Sequence, residues 1–400
     1  MRDNNSGHGA PRHRITTTSP SRKPNGSHHA TNGTKPEQSP ASPNPKPSKR
    51  RKTKPLSRRT WIPPLVLITA ILALYALNPT ESNILHPFLH LSYKQDSPNG
   101  DPPTYGKGPA DLASVAFFTI VLSLTRELAM QELLAPLARK SGIPRKKQQR
   151  FAEQTYTAIY TGLSGPLGLY CMRESPVWYF NTRGMYEGFP HRTHTATLKF
   201  YYLFQAAFWV QQVVVMGLGM EKRRRDFREL VAHHIVTIAL IGLSYRFHFM
   251  YMGVAVYVTH DISDFFLAVS KSLNYVESPA QGPSFALCIL VWAYLRHHVN
   301  LRILWSLLTE FRTVGPYVLD WETQQYKCPI SNVITFVLLA ALQALNLFWL
   351  YCLLRSAYKF VFKGVAKDDR SDDEAEIEVA TRLVDTSGLL VNGGMMDRAG

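Results

Sequence analysis

The chain has 400 residues, with 45 Lys and Arg against 29 Asp and Glu, a formal net charge of +16 and 45% hydrophobic residues. Its mean hydropathy of −0.13 reads as soluble only because it averages a very polar N-terminal segment with a strongly apolar middle. Residues 1–60 carry 14 Lys/Arg against 2 acids and residues 363–400 carry 5 against 9. The basicity is therefore concentrated in one tail, which argues against a folded basic groove for nucleic acid. Cys171, Cys288, Cys328 and Cys352 are too few and too scattered for a disulfide scaffold, and they lack zinc-ligand spacing.

Residues 1–60 are rich in Ser, Pro, Asn and basic side chains. Such a segment buries too little surface to offset its ordering entropy and is expected to be a disordered tail. It is not a secretory signal, because sixty polar residues precede the first apolar run. The sequons at Asn4, Asn25 and Asn32 are read as chance matches, since the cluster Lys49-Arg50-Arg51-Lys52-Thr53-Lys54 holds this end on the cytosolic side of a membrane.

Eight apolar stretches follow, near 61–77, 112–134, 155–171, 198–218, 231–245, 249–269, 285–308 and 333–354. Several approach the ~20 residues that a span needs, and the first, third and fifth are short. The predicted fold is an all-α integral membrane protein, a multi-span bundle of about eight transmembrane helices with disordered tails. Six or seven spans result if a short stretch is re-entrant. With the N-terminus cytosolic, the basic runs 139–150 and 221–229 fall on the cytosolic side, and 78–111, with only Lys94 and Lys107, on the far side. The segmentation is a basic tail (1–60), a first span and lumenal loop (61–110), a catalytic domain (111–362) and an acidic tail (363–400). Gly165-Pro166 is expected to kink or interrupt the third helix. The aromatic and polar stretch 173–197 is expected to lie at the membrane surface. Arg126 and Glu127 in the second stretch, and Arg296, His297 and His298 in the seventh, either line a cavity or pair inside the bundle.

The densest signal lies in 231–276, read as two spans that nonetheless hold His233, His234, His260, Asp261, Asp264 and Lys271. Each ionisable group at membrane depth costs about 2.5–3.5 kcal/mol on insertion scales, so several together point to function. His233 and Thr237 are four apart, His234 and Thr237 three apart, and His260 and Asp264 four apart, so each set shares a helix face. A short connection between the helices brings them into one polar pocket. Adjacent His233 and His234 point about 100° apart and suit shared chelation poorly, so no metal is expected, although His260 with Asp264 leaves that option open. Lys271 is read as snorkelling at the boundary; Tyr245 and Asn274 are weaker candidates for supporting roles.

The pattern HHIVTIALIGLSY…THDISDFFLAVSKSLNY closely resembles the Lag motif of ceramide synthases, within the TLC-domain family of membrane proteins. CMRESPVWYFNTRGMYEGFPHRTH before it and LLTEFRTVGPYVLDWETQQYKCPIS after it resemble fungal members, and Asp368-Asp369-Arg370-Ser371-Asp372-Asp373-Glu374 resembles their acidic tail motif. The resemblance covers roughly 61–375 and lacks the homeobox-like insert of many animal members. It implies transfer of a fatty acyl group from acyl-CoA to the amine of a sphingoid long-chain base, at the endoplasmic reticulum membrane with both termini cytosolic. It further implies acyl-CoA as co-substrate with no other cofactor, and a homodimer or a heterodimer with a related synthase or small regulatory subunit.

The implied catalytic set is His233, His234, His260, Asp261 and Asp264, supported by Thr237, Tyr245, Ser263, Lys271 and Asn274. Imidazole titrates near neutrality and serves as base or as acyl acceptor, and Asp261 or Asp264 would orient a histidine. The basic runs 139–150 and 221–228 face the same side as CoA and are candidates for its phosphates. Two further expectations come from the topology and the acidic tail: a lumenal disulfide, if any pair is bridged, between Cys171 and Cys328, and phosphorylation of Ser371.

Overall fold

The computed structural model describes residues 59–96, 100–221 and 224–363. The 1–58 part of the basic tail, Ser371 and the acidic tail lie outside these residues. The chain folds as helices α1 (Ile62–Ala76), α2 (His86–Leu89), α3 (Asp111–Leu128), α4 (Ala135–Lys140), α5 (Arg145–Arg173), α6 (Ala196–Gly217), α7 (Phe227–Arg246), α8 (Met250–Tyr275), α9 (Gln281–Trp292), α10 (Asn300–Thr313) and α11 (Pro329–Lys363). Each of the eight apolar stretches is helical. Among the described residues, four helical runs are long and apolar enough to cross a membrane: Asp111–Lys140, Phe227–Arg246, Met250–Tyr275 and Pro329–Phe362; α1 is apolar but shorter.

Two π-helical segments interrupt the α-helical register. Ala129–Leu134 joins α3 to α4, and Ala293–Val299 joins α9 to α10. A π-turn rotates the side chains that follow it, and it often marks a functional site. The second π-segment decides which face Arg296 occupies.

At one end of the bundle, three two-residue strands form an antiparallel sheet in the order β1 (Lys94–Gln95), β2 (Thr104–Tyr105), β3 (His194–Thr195). Beneath it Lys199, fully buried at the start of α6, pairs with Asp111 at 2.7 Å and donates to the Ser92 and Gly106 carbonyls, both at 2.8 Å. Tyr245 donates to the same Asp111 at 2.6 Å. A buried charge is tolerated when it is paired and hydrogen-bonded, and this pair ties α3, α6 and α7 to the sheet.

Helices α5 and α8 make the most extensive contact in the fold. Helix α5 runs unbroken through Pro166, so the expected interruption is absent. Gly162 and Gly168 give the close approach: a Cβ at Gly162 would meet the Phe265 ring at 3.1 Å, and one at Gly168 would meet Val258 at 2.8 Å. The stretch 173–197, expected at the membrane surface, alternates exposed side chains such as Trp178 and Tyr179 with others that turn into the protein. Val177, Met185 and Tyr186 are buried in the main core, and the Tyr186 hydroxyl shares a 2.7 Å hydrogen bond with Ser306. Phe180, Tyr186 and Phe189 pack the end of the bundle. All four cysteines are free thiols, and the expected Cys171–Cys328 bridge is not formed. Cys171 donates to the Thr197 carbonyl at 3.8 Å inside the core, whereas Cys328 lines an apolar cavity.

Candidate active site

His233 and His234 lie in the second turn of α7 and His260 mid-way along α8, all buried. Helix packing brings them together. The ring centroid of His233 is 5.8 Å from that of His234 and 6.4 Å from that of His260. Two tryptophans flank His233 edge-to-face, Trp209 of α6 at 5.3 Å and Trp349 of α11 at 5.2 Å. The Trp349 indole N–H donates to Asp226 at 3.0 Å, and Arg224 grips that carboxylate with two bonds of 2.9 and 2.6 Å.

Hydrogen bonding to backbone carbonyls sets two of the tautomers. His234 Nδ1 lies 2.7 Å from the Leu230 carbonyl, which can only accept, so Nδ1 carries the proton and Nε2 is bare. His260 Nδ1 donates in the same way to Val256 at 2.8 Å. His233 Nδ1 is sealed without a partner, leaving Nε2 as the nitrogen available to the surrounding space.

That space consists of two cavities that share His233 and Trp209. One, of about 260 Å³, has an apolar wall and runs from His233 and His260 past Val256 and Leu339 to Leu319 and Trp321. The other, of about 230 Å³, is more polar and is lined by Glu153, Glu221, Arg224, Asp264, Lys271 and His234. An apolar tunnel and a charged vestibule therefore meet at imidazole nitrogens.

The carboxylates do not orient the histidines. Asp261 is held by the Gln205 amide, and Tyr160 and Tyr201 complete that buried set through Gln205, with bonds of 3.0 and 3.1 Å. Asp264 pairs with Arg296 at 2.6 Å. Arg296, buried on the π-helical segment, also donates to Ser263 Oγ at 2.6 Å and Asn346 Oδ1 at 3.2 Å, and stacks on Trp292 at 4.0 Å. Thr237 lines the apolar cavity one turn beyond His233. Tyr245 belongs to the Asp111 pair, far from this site, and Asn274 sits in the last turn of α8.

Of the two expected outcomes for His297 and His298, lining a cavity or pairing inside the bundle, neither residue lines the two cavities at the histidines, and His297 pairs with a buried side chain. His297 bonds Gln343 at 2.7 Å, and His298 is exposed against Tyr294. Of the three consecutive side chains on the π-segment, Arg296 is the buried one that lines the vestibule. Arg126 and Glu127 pair with each other, and Arg126 also binds Glu221 at 2.5 Å. Among the described residues no group of three or more His, Cys, Asp or Glu is arranged to hold a metal ion.

The family model for the TLC domain matches residues 150–355, which contain both histidine-bearing helices and the Arg296 and Asn346 partners. The chain belongs to the TLC-domain family. It is similar to the sphingosine N-acyltransferase-like protein FUM17 of Gibberella moniliformis, 54% identical over 328 residues that cover 80% of this chain and 84% of that protein. It is also similar to the ceramide synthase LAG1 of Saccharomyces cerevisiae, at 47% identity over 322 residues (80% and 77% covered). The sphingosine N-acyltransferase lac1 of Schizosaccharomyces pombe is 43% identical over 319 residues (80% and 82%).

Within this TLC domain, the residues that sequence reasoning missed are Trp209, Gln205, Asn346 and Trp349. Gln343, Asn346 and Trp349 recur at three-residue intervals in the apolar middle of α11. That spacing is the signal that could have found them.

Proposed function

We propose that the chain is a ceramide synthase that transfers a fatty acyl group from acyl-CoA to the amine of a sphingoid long-chain base. The observation that carries this reading is the meeting of the apolar cavity and the charged vestibule at His233, with His234 on the vestibule side. An acyl-CoA has the matching polarity: a long apolar chain, a thioester, then a highly polar carrier. The chain fits the apolar cavity and the thioester comes to rest at the imidazoles, with CoA toward the vestibule.

The reaction forms a C–N bond and breaks the C–S bond. The sulfur leaves as CoA thiol, and the ammonium of the base loses two protons in becoming an amide nitrogen. A bare Nε2 of the histidine pair takes either the amine proton or, transiently, the acyl group. In both routes positive charge develops on that imidazole, beside the faces and edges of Trp209 and Trp349. The apolar wall excludes water, which protects the thioester from hydrolysis. Acyl-CoA is the co-substrate, and no further cofactor is required by this chemistry.

The same reading makes the chain a multi-pass protein of the endoplasmic reticulum membrane with both termini cytosolic. It is supported by Glu153 and Glu221 lining one cavity, which puts the basic runs around 139–150 and 221–229 on one side. The test uses purified full-length chain, acyl-CoAs and sphingoid bases, with products read by mass spectrometry. Wild type forms amide. With acyl-CoA alone, release of up to one equivalent of CoA and one acyl mass on a histidine indicates the covalent route; release only when the base is present indicates direct transfer. Amide formation by the His233→Ala, His234→Ala double variant overturns the assignment of these histidines.

A further inference from the structure

Asn346 sits in the apolar run LLAALQALNLFWL of α11 and is fully buried. A buried amide is costly unless both ends are hydrogen-bonded, and here both ends are. Arg296 Nη1 lies 3.2 Å from Oδ1. A guanidinium only donates, so the amide orientation is fixed with its oxygen toward Arg296 and its NH2 toward α8. That NH2 lies 3.4 Å from His260 Nε2. An amide nitrogen also only donates, so Nε2 must accept and carries no proton. The single ring proton is then on Nδ1, 2.8 Å from the Val256 carbonyl. A second proton on Nε2 would set N–H against N–H.

We propose that Asn346 is a positioning residue that, locked by Arg296, holds His260 uncharged beside the His233–His234 pair. This inference rests on the acyl-transfer reading and deepens it. His260 then serves as a neutral wall of the site, not as its base. The reason is electrostatic: positive charge develops on the reacting imidazole in either route, and the His233 ring centre is only 6.4 Å from that of His260. A second cation at that separation would slow the reaction by about tenfold or more.

The charged and titratable groups facing His260 agree with this role. Helix α7 contributes His233 and His234; α8 contributes Asp261, turned to Gln205, and Asp264, turned to Arg296; the π-segment contributes Arg296. Tyr202 of α6 and Tyr257 of α8 line the apolar cavity with His260, Tyr160 and Tyr201 belong to the Gln205 set, and α11 contributes Asn346. Among the described residues the His260 ring bonds Thr259, the Val256 carbonyl and Asn346, and no carboxylate is there to stabilise an imidazolium.

The test is Asn346→Asp in the full-length purified chain. The shape is conserved, but a carboxylate accepts both from Arg296 and from an Nε2–H, so His260 can take up a second proton. The expected result is a kcat at about pH 7 reduced at least about tenfold, recovering toward wild type by about pH 9, with KM for acyl-CoA within about twofold. A loss of equal factor at every pH overturns the proposal, because a packing defect alone gives that pattern. An unchanged profile overturns it too. Absence of amide formation by wild type would instead refute the acyl-transfer reading. If Asn346→Asp fails to fold in detergent, His260→Gln decides: its side-chain oxygen still accepts from Asn346 and it cannot be charged. Retention of about a tenth or more of kcat supports a neutral role, and complete loss overturns it.

Discussion

The apolar cavity makes a quantitative prediction about acyl-chain length. Thr335, partly buried on α11, lines it between Leu339 near the histidines and Ile330 at the far end. Replacing Thr335 by Phe adds about four heavy atoms, which displaces about four methylenes of a bound chain; at about 0.8 kcal/mol per buried methylene this removes about 3 kcal/mol. The loss falls only on chains long enough to reach Thr335. The expected outcome is a drop of about two-hundredfold in the ratio of kcat/KM for long against short acyl-CoAs, with the short ones barely affected. The assay is amide formation with acyl-CoAs of graded length in separate reactions, with melting temperature as the folding control. A loss by the same factor at every length, or no change, would refute the assignment of this cavity to the acyl chain.

Three further outcomes follow from named contacts. Asp264→Asn strands the buried Arg296, and removing one partner of such a pair costs on the order of 3 kcal/mol, so the variant should melt markedly lower in detergent as well as lose activity. Gly253→Ala places a Cβ against the Tyr202 hydroxyl and 2.8 Å from its ring; at a wall of the apolar cavity this overpacking should cost about 1–3 kcal/mol, read as a fall in melting temperature. At the sheet end, burial and nearby Lys107 hold His194 well below its ordinary 6.5 and push His248 down to about 3. The unfolded chain therefore takes up these protons first, so stability is full above about pH 6.5 and is lost progressively toward about pH 3. His248→Asn, which tolerates the left-handed φ of 68° there, should reduce the drop in melting temperature between about pH 7.5 and about pH 5.

The sequence by itself determined that the chain is helical and membrane-spanning in composition, and it singled out His233, His234, His260, Asp261 and Asp264 as one group on two adjoining helices. The reason is energetic: ionisable side chains inside apolar stretches are costly enough that their presence is informative without coordinates. Helical spacing also put His233 and Thr237 on one face, where they line the same cavity.

What only the tertiary structure decided is which of these groups touch. The expected Asp-to-His contacts are replaced by Asp261 with Gln205 and Asp264 with Arg296, partners that α6 and the π-segment bring from elsewhere in the chain. Asn346 lies 86 residues from the histidine it bonds, in the apolar middle of α11. No local pattern encodes that pairing. The π-helical register at Ala293–Val299 turned Arg296 inward and His297 and His298 away, although the three are indistinguishable as a run of basic residues. Likewise Lys199 and Asp111 look like span-boundary charges in sequence, and only the sheet folded over them makes them a buried pair. Periodicity fixes the face of a helix, whereas the partner of that face depends on how the other helices close around it, at sequence separations that local propensity does not reach.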